Sequence, residues 1–378
     1  MNIGFVTMDL QLGGGAEHDV VNLSTGLKRA GHGPIVITSG GRLCEYVEAE
    51  NIPVLRHPVD RRSPVRLWQN APLVARAVEQ HDIEALNPQG VYPVPTCYWA
   101  SRQLLKRGRF VPNVVTIHVL GKLKWWYYKL GATLLNRYAD HVIFESQFEL
   151  DRVLRHGFRG PYTVIPNCSP PARQQAVVET REQIRQEIGV PPDAVLFVMP
   201  ARMTWEKRHD LLLESLARPE VRSLPIRFYL AGDGPLADRY RRQARALGVE
   251  DRVIFGGFRK DLPRLYKAAD VFLLCSAAES LPLSIREGMG ASLPVIATDV
   301  GGIVEAVEHE GSGLLVPSGD AAALAGAIGR LASDAGLRRR MGERGYQIYQ
   351  EKFDYDHWIA RTVQIMSEVR EKFIREHS

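Results

Sequence analysis

The chain has 378 residues, of which 45% are hydrophobic and 24% are charged, and its formal net charge is +5. This length favours two domains, and the composition is ordinary for a soluble globular protein. Because no run of eighteen apolar residues occurs, a transmembrane helix is not expected, and the first residues lack the pattern of a signal peptide. The four cysteines are scattered without metal-ligand spacing, which indicates a reducing compartment and a cytoplasmic location.

The excess of basic residues is concentrated in the first half of the chain. Residues 1–165 hold 19 Lys and Arg against 14 Asp and Glu, whereas the remainder holds 29 of each. Within residues 56–137 the count is 13 basic against 4 acidic residues. This region is therefore predicted to face an anionic partner.

The first half begins with a strand, a glycine turn and a helix. Residues 2–8 form an apolar run, glycines follow at Gly13, Gly14 and Gly15, and residues 20–27 have helical spacing. Such glycines let a backbone approach a phosphate or a sugar closely. Their spacing is not that of a dinucleotide site, and an ordinary turn is the alternative.

Further strands alternate with helical stretches through the rest of the first half. The predicted strands are residues 33–38, 52–55, 83–86, 114–117, 142–144 and 162–165. This alternation favours a parallel sheet that is covered on both faces. His118 directly follows one of these strands, at the edge where open α/β sheets bind ligands. A structural role is the alternative for a lone histidine.

A proline-rich turn at residues 166–171 is the best candidate for a linker, and the strand pattern starts again after it. The predicted strands are residues 194–199, 227–231, 252–256, 271–275 and 294–297, and the predicted helices are 180–188, 210–216, 237–247 and 262–268. The second half is therefore predicted to form a second doubly wound sheet. From about residue 354 the chain is helical and charged.

Residues 278–289 carry two glutamates, Glu279 and Glu287. Pro282 stands between them and suits the first turn of a helix, so we expect Glu279 in a turn and Glu287 in the helix that follows. The N–H groups at such a helix start form an anion site, so the carboxylates would bracket a polyhydroxylated ligand whose phosphates rest there. The alternative is a capping box of Ser284 and Glu287, which would make Glu287 structural.

A second group of charged residues follows the first strand of the second half. Arg202 and Lys207 come just after its carboxyl end, where two fixed cations would hold a diphosphate and neutralise it as it leaves. Two solvated surface cations are the alternative. Glycine-containing loops at residues 231–235, 256–259 and 299–305 are predicted at the same edge of the sheet, although each of them also suits a simple turn.

Together these motifs resemble the donor-binding domain of retaining glycosyltransferases of family 4, which have the GT-B fold. The matching positions are Arg202, Lys207 and residues 231–235, 257–258, 268–271, 279–289, 294–298, 301–302 and 313–316, with residues 13–17, 116–118 and 164–167 in the first half. The resemblance covers nearly the whole chain. The chain departs from the family pattern after Glu279, where Ser-Leu-Pro-Leu replaces Ser-Phe-Gly, and this change alters the wall of the expected sugar pocket.

The resemblance implies an α/β fold of two doubly wound Rossmann-like domains that face each other across a cleft. Residues 1–166 would form the acceptor-binding domain, joined by a C-terminal helix of about residues 356–378. Residues 167–355 would form the donor-binding domain.

The resemblance also implies roles for individual residues. Arg202 and Lys207 would bind the diphosphate of a nucleotide-sugar, Glu279 would contact the hydroxyls of the donor sugar, and Glu287 would bind the ribose. His118 would point at the donor sugar, so the catalytic roles would fall on Glu279, His118, Arg202 and Lys207. The other expected donor contacts are Gly14, Gly15, Gly234, Phe258, Arg259, Leu283 and Ser284.

The sequence therefore predicts a retaining, metal-independent glycosyltransferase of the hexosyltransferase type. Its donor would be a UDP-sugar or GDP-sugar, which is a substrate, so no cofactor is expected. Its acceptor would be a hydroxyl of a glycan, a lipid or a small molecule. The open alternatives are another GT-B enzyme, such as an epimerase or a phosphorylase, and a non-catalytic basic module that binds a membrane or nucleic acid. Nucleic acid is not an expected partner, because RNA-recognition motifs and zinc spacings are lacking.

Residues 122–130 interleave lysines with four aromatic residues. Lysine stems and amphipathic rings favour a membrane interface, and basic residues strengthen binding to anionic lipid. This stretch, with Arg61, Arg62, Arg66 and Trp68, predicts peripheral binding to the inner face of the cell membrane and a membrane-bound acceptor. The alternatives are a helix whose aromatic residues pack on the sheet and a soluble acceptor.

Overall fold

The computed structural model describes residues 1–11, 15–59, 64–118, 125–170 and 176–378. It divides into two compact units. The first domain comprises Met1–Ser169 and Tyr355–Ser378, and the second comprises Pro170–Asp354. The division thus falls inside the proline-rich turn, close to the boundary that the sequence predicts between residues 166 and 167.

The first domain is built on parallel strands. They are β1 (Asn2–Val6), β2 (Gly33–Thr38), β3 (Val54–Arg56), β4 (Ala85–Pro88), β5 (Val114–Ile117), β6 (His141–Phe144) and β7 (Tyr162–Val164). One group pairs in the order β3-β2-β1-β4 and another in the order β5-β6-β7. Parallel bridges between Leu86 and Asn113 and between Gln89 and Thr116 join the two groups.

Helices cover both faces of these strands. They are α1 (Gly15–Arg29), α2 (Cys44–Ala49), α3 (Pro64–Gln80), α4 (Val94–Leu105), α5 (Trp125–Tyr138) and α6 (Gln147–Arg155). All four residues of β5 are buried, as are the last four of β1. Strands buried on both faces have continuous apolar sequences rather than alternating ones, which explains why apolar runs alone were enough to predict them.

The second domain has a six-stranded parallel sheet in the order β10-β9-β8-β11-β12-β13. Its strands are β8 (Val195–Met199), β9 (Ile226–Ala231), β10 (Val253–Gly257), β11 (Val271–Leu274), β12 (Val295–Thr298) and β13 (Gly313–Val316). The strand order reverses between β8 and β11, because β9 and β10 lie on one side of β8 and β11 lies on the other. Ligands of open α/β sheets bind at such a switch point, outside the carboxyl ends of the strands.

The helices of the second domain surround this sheet. They are α7 (Arg181–Glu187), α8 (His209–Leu216), α9 (Pro219–Arg222), α10 (Ala237–Ala246), α11 (Leu262–Ala268), α12 (Leu283–Gly290), α13 (Ile303–Ala306), α14 (Ala321–Ser333) and α15 (Ala335–Lys352). Short 3-10 turns lie at Trp205–Lys207 and Glu250–Arg252.

The last helix, α16 (Tyr355–His377), belongs to the first domain. The Tyr355 hydroxyl donates to the carbonyl oxygen of Asn22 at 2.6 Å, in the middle of α1. Gly26 lets the two helices approach, because a Cβ at this position would clash with the Ile359 side chain. The end of the chain is therefore part of the packing around α1.

The predicted doubly wound α/β fold is confirmed in both halves. Strand β13 and helices α14 and α15 were not predicted from the sequence pattern. No helix in the described part of the chain combines the length and the apolar character needed to cross a membrane.

Candidate functional site

The loops after β8 and β11 meet at the switch point of the second sheet. Lys207 ends the 3-10 turn that follows β8, and its Nζ lies 2.5 Å from Glu279 Oε1 in the loop after β11. Ser276 donates its hydroxyl to the same carboxylate oxygen at 2.6 Å. A backbone hydrogen bond from Ala277 to the carbonyl oxygen of Glu206 also joins the two loops. The structure thus brings two of the predicted site residues, Lys207 and Glu279, into direct contact.

Arg202 lies on the same loop as Lys207, directly after β8, and its side chain is exposed. Within the described ranges it forms no ion pair, in contrast to Lys207. A guanidinium group without a protein carboxylate is available to an anionic ligand. Arg202 and Lys207 therefore place two cations after β8, of which one is fixed by Glu279.

The glycines of residues 231–235 hold the loop after β8. A Cβ on Gly232 would overlap the carbonyl oxygen of Ala201, and one on Gly234 would lie 2.6 Å from that of Met203. In return, Met203 donates its backbone N–H to Asp233 at 2.9 Å. Gly234 is thus required for a close backbone approach that supports the loop carrying Arg202.

The loop after β12 holds Glu279 in the same way. Gly301 has φ +62°, and a Cβ at this position would clash with the carbonyl oxygen of Glu279. The Gly302 N–H donates to the carbonyl oxygen of Ser280 at 2.6 Å. Since only glycine combines this conformation with this proximity, the pair fixes the backbone on which the Glu279 carboxylate is carried.

Helix α12 begins beside Glu279. Its N-cap is Pro282, which provides no side-chain cap, so Leu283 and Ser284 supply the first N–H groups of the helix. Such groups have no partner within the helix and form an anion site. The capping-box alternative for Ser284 and Glu287 is wrong, because Ser284 lies inside the first turn rather than at the N-cap.

The Glu287 carboxylate is instead held from a neighbouring helix. The Tyr266 hydroxyl of α11 donates to Glu287 Oε2 at 2.8 Å. Burial, and then the Glu287 charge, raise the pKa of Tyr266 well above its usual value, so the phenol keeps its proton and remains a donor. Glu287 is therefore an oriented acceptor of hydrogen bonds.

Phe258 and Arg259 follow β10 at the same edge of the sheet. The Phe258 ring is 45% exposed. Arg259 makes a bidentate ion pair with Asp261, with N–O distances of 2.8 and 2.6 Å. This contact raises the pKa of Arg259 and lowers that of Asp261. Arg259 is thus held in place within its own loop.

In the first domain, His118 lies in a buried polar group. Its Nδ1 is 2.6 Å from Glu145 Oε1 and 3.3 Å from Asp19 Oδ2, and its Nε2 is 2.7 Å from Gln89 Oε1. Asn167 donates to the same Asp19 carboxylate. We refer to Asp19, Gln89, His118 and Glu145 as the His118 cluster.

Sequence reasoning found His118 but missed its partners. Gln89 and Glu145 directly follow the strands β4 and β6, and Asp19 lies near the start of α1, so each comes from the carboxyl-end side of the parallel strands. This placement was a signal available from the strand prediction. Gly15 begins α1, whereas Gly14 lies outside the described residues.

The three ionisable side chains of the cluster have donor atoms within 4.8 Å of one another. A metal ion holds its nitrogen and oxygen ligands at about 2.1 Å, so two neighbouring ligands at a right angle lie about 3 Å apart. The separation of 2.6 Å between His118 Nδ1 and Glu145 Oε1 is shorter than that. His118 Nδ1 and this carboxylate oxygen are therefore in direct contact, closer together than two neighbouring ligands of one metal ion.

Two family models match the chain, one over each half. Residues 180–348 match the family Glycosyl transferases group 1, and residues 13–173 match Glycosyltransferase Family 4. The putative glycosyltransferase EpsD of Bacillus subtilis (strain 168) is 30% identical over 346 residues, which are 88% of this chain and 87% of EpsD.

Two solved structures share the fold over nearly the whole chain. A glycosyltransferase from Rickettsia africae ESF-5 aligns with a TM-score of 0.85 at 22% identity, covering 97% of this chain and 98% of that one. Anabaena HepE in complex with UDP-glucose aligns with a TM-score of 0.83 at 25% identity, covering 97% of this chain and 100% of HepE. The chain is therefore a glycosyltransferase with the GT-B fold, and it belongs to glycosyltransferase family 4.

Proposed function

We propose that this enzyme transfers a sugar from a nucleotide-diphosphate donor to an acceptor hydroxyl, with retention of the anomeric configuration. The observation that carries the proposal is the Lys207–Glu279 ion pair at the switch point between β8 and β11. It places a cation suited to a diphosphate beside a carboxylate suited to sugar hydroxyls. The UDP-glucose bound to Anabaena HepE supports a nucleotide-sugar donor.

The diphosphate would lie between Arg202, Lys207 and the start of α12. The Lys207 ammonium has three N–H donors, so it can keep its contact with Glu279 while it binds a phosphate oxygen. The backbone N–H groups of Leu283 and Ser284 would bind the distal phosphate. Donors that are fixed in this way would stabilise the charge that develops on a leaving diphosphate.

The two glutamates would bind the two sugars of the donor. Glu279 has one oxygen fixed by Lys207 and Ser276, and it would accept hydrogen bonds from the transferred sugar. Glu287 is oriented by Tyr266 and would accept from the ribose hydroxyls. Phe258 and Arg259, at the end of β10, would border the nucleotide on its far side, and Gly234 would support the diphosphate loop.

For the chemical step we propose a front-face reaction without a metal ion. The leaving diphosphate, neutralised by Arg202 and Lys207, would itself take the proton of the acceptor hydroxyl. A double displacement through a covalent intermediate is the competing mechanism. Retention is tested by the anomeric proton coupling of the product compared with that of the donor.

The acceptor is proposed to be membrane-bound, such as a glycolipid or a polysaccharide precursor, which the enzyme would reach as a peripheral protein on the inner face of the cell membrane. Trp125, Trp126 and Leu130 at the start of α5 are 67%, 49% and 48% exposed, and Trp68 of α3 is 60% exposed. These side chains are therefore not packed on the sheet. Tyr128 is buried, so the packing alternative holds for that residue. Residues 60–63 and 119–124, with Arg61, Arg62 and the two lysines at 122 and 124, lie outside the described residues.

The experiment that tests the proposed function is incubation with a panel of UDP- and GDP-sugars, with nucleotide release and thermal shift as readouts. A glycosyltransferase releases the nucleoside diphosphate in an acceptor-dependent manner. Release of sugar phosphate on addition of inorganic phosphate would identify a phosphorylase, and conversion of the donor sugar without acceptor would identify an epimerase. Either result would overturn the proposal.

A further inference from the structure

A chain of hydrogen bonds determines that His118 Nε2 carries a proton. Asn87 is fully buried, and its Nδ2 donates to the carbonyl oxygen of Val114 at 2.6 Å. Because a carbonyl oxygen only accepts, Asn87 turns its Oδ1 toward Gln89, whose Nε2 lies 2.5 Å away. Gln89 therefore presents Oε1 to His118 Nε2 at 2.7 Å, and this ring nitrogen must be the donor.

The other ring nitrogen faces two carboxylates. Nδ1 lies 2.6 Å from Glu145 Oε1 and 3.3 Å from Asp19 Oδ2, and both acidic side chains are more than nine-tenths buried. Neither contact has the geometry of a linear hydrogen bond to Nδ1. A neutral ring with its proton on Nε2 would turn the Nδ1 lone pair toward two negative oxygens, which is unfavourable where water does not screen the charges. A ring that carries a proton on both nitrogens avoids this repulsion.

We propose that His118 is a permanent imidazolium, positioned by Gln89 on one side and by Asp19 and Glu145 on the other. In the transfer reaction it acts as a fixed cation and not as a general base. This second statement rests on the proposed function and on the role that the family resemblance implies for His118, which would point at the donor sugar. Both ring protons are directed into the domain, so the ring has no free lone pair for the proton of an acceptor hydroxyl. That proton must leave by another route, which agrees with transfer to the diphosphate.

The charges around the ring support this assignment. Burial alone would lower the pKa of His118, but the charge of Glu145 and then the contacts with Asp19 raise it to about 10. The described ionisable groups that face the ring are Asp19 from α1 and Glu145 from the end of β6. Gln89, from the end of β4, is neutral, and so is Asn167, which donates to Asp19.

The protonation state is measured directly by nitrogen NMR of the full chain with labelled histidine rings. The His118 signals are assigned by their loss in His118→Gln. We expect two ring nitrogens of the protonated type that do not titrate between about pH 6 and 9. One unprotonated ring nitrogen in this range, or a stoichiometric divalent metal in the purified protein, would overturn the proposal. This readout needs no activity, so it is independent of the proposed function.

The positioning role is tested with Glu145→Gln, which removes one carboxylate and keeps its shape. With one attractive charge lost, His118 should titrate between about pH 6 and 9, and kcat/KM should gain an inflection in that range that the wild type lacks. Asp151→Asn is the control, because its carboxylate accepts from Gln147 on α6, and it should behave as the wild type. Asp19→Asn provides a second variant if Glu145→Gln does not fold. An unchanged titration of His118 in the variant that folds would contradict the proposal.

Discussion

Tyr266 donates its hydroxyl proton to Glu287 over 2.8 Å, and so orients a carboxylate that lies one turn into α12. If this carboxylate binds ribose, Glu287→Gln should weaken the binding of the free nucleoside diphosphate and of the whole donor. Tyr266→Phe should weaken binding in the same way but by less, because the carboxylate remains and loses only the hydrogen bond from the Tyr266 hydroxyl. Calorimetric titration with UDP and GDP measures both.

Glu279→Gln is the matched comparison for that prediction. Of the donor, Glu279 is expected to contact only the transferred sugar, and glutamine keeps a side-chain oxygen that can accept from Lys207. The variant should therefore bind the free nucleotide normally and the intact donor weakly. Equal losses for both ligands in both glutamate variants would contradict the separate assignment of the two carboxylates.

Arg202→Ala and Lys207→Ala should each lower kcat/KM by about a hundredfold or more, because each removes a preorganised donor to the leaving diphosphate. Steady-state kinetics with the active donor provide the measurement. Arg339→Ala is the control, since Arg339 is 76% exposed on α15 and pairs only loosely with Glu343, at 4.0 Å. Wild-type kinetics in both site variants would exclude the diphosphate role.

Gly301→Ala should reduce both stability and activity, because the new Cβ would clash with the backbone of Glu279. Gly189→Ala separates this clash from backbone strain. Gly189 also has a positive φ, +72°, but its Cβ would meet no atom within 4 Å. In each variant, the cost of placing alanine in the left-handed conformation should lower the free energy of unfolding by about 1–2 kcal/mol. Denaturant unfolding measures this loss. Only Gly301→Ala should also lower kcat/KM, and equal activities would argue against a role of Gly301 in holding Glu279.

Acid should destabilise the second domain through His209. This residue is fully buried against Tyr240, and burial lowers its pKa to about 4. The unfolded chain takes up this proton near pH 6.5, whereas the folded chain takes it up only near pH 4. The stability that His209 contributes is therefore complete above about pH 6.5 and is lost as the pH falls toward 4. Through this one group, the free energy of unfolding should fall by up to about 1.4 kcal/mol per pH unit within this range. Unfolding measured from pH 7 to 4 in the wild type and in His209→Gln checks this, and an equal slope in the two proteins would rule it out.

Trp126→Ser with Leu130→Ser should abolish binding to anionic vesicles, because both side chains are exposed on successive turns of α5. Co-sedimentation with anionic and neutral vesicles at low and high salt is the measurement. Val178→Ser is the control, as Val178 is 89% exposed in the second domain. If the wild type does not bind anionic vesicles at low salt, the membrane proposal fails. Binding that does not depend on salt would show that the basic residues do not contribute through their charge.

The sequence predicted those strands and helix starts that depend on a local pattern of residues. Buried strands such as Val114–Ile117 show as apolar runs, and Pro282 marked the start of α12. The contact of Tyr266 with Glu287, 21 residues apart, was out of reach, whereas Gln89, 29 residues from His118, could have been found from its place directly after β4. Such pairs are created by strand order rather than by spacing in the chain. The capping-box alternative for Ser284 had the right spacing, and only the observed N-cap at Pro282 excluded it.

The return of α16 to the first domain has a consequence for synthesis on the ribosome. Asn22 and Gly26 on α1 are covered by Tyr355 and Ile359, residues that are made only after the whole second domain. The second domain can therefore complete its core while the nascent first domain still exposes one side of its first helix. The packing around α1 is thus completed only after the second domain has been translated.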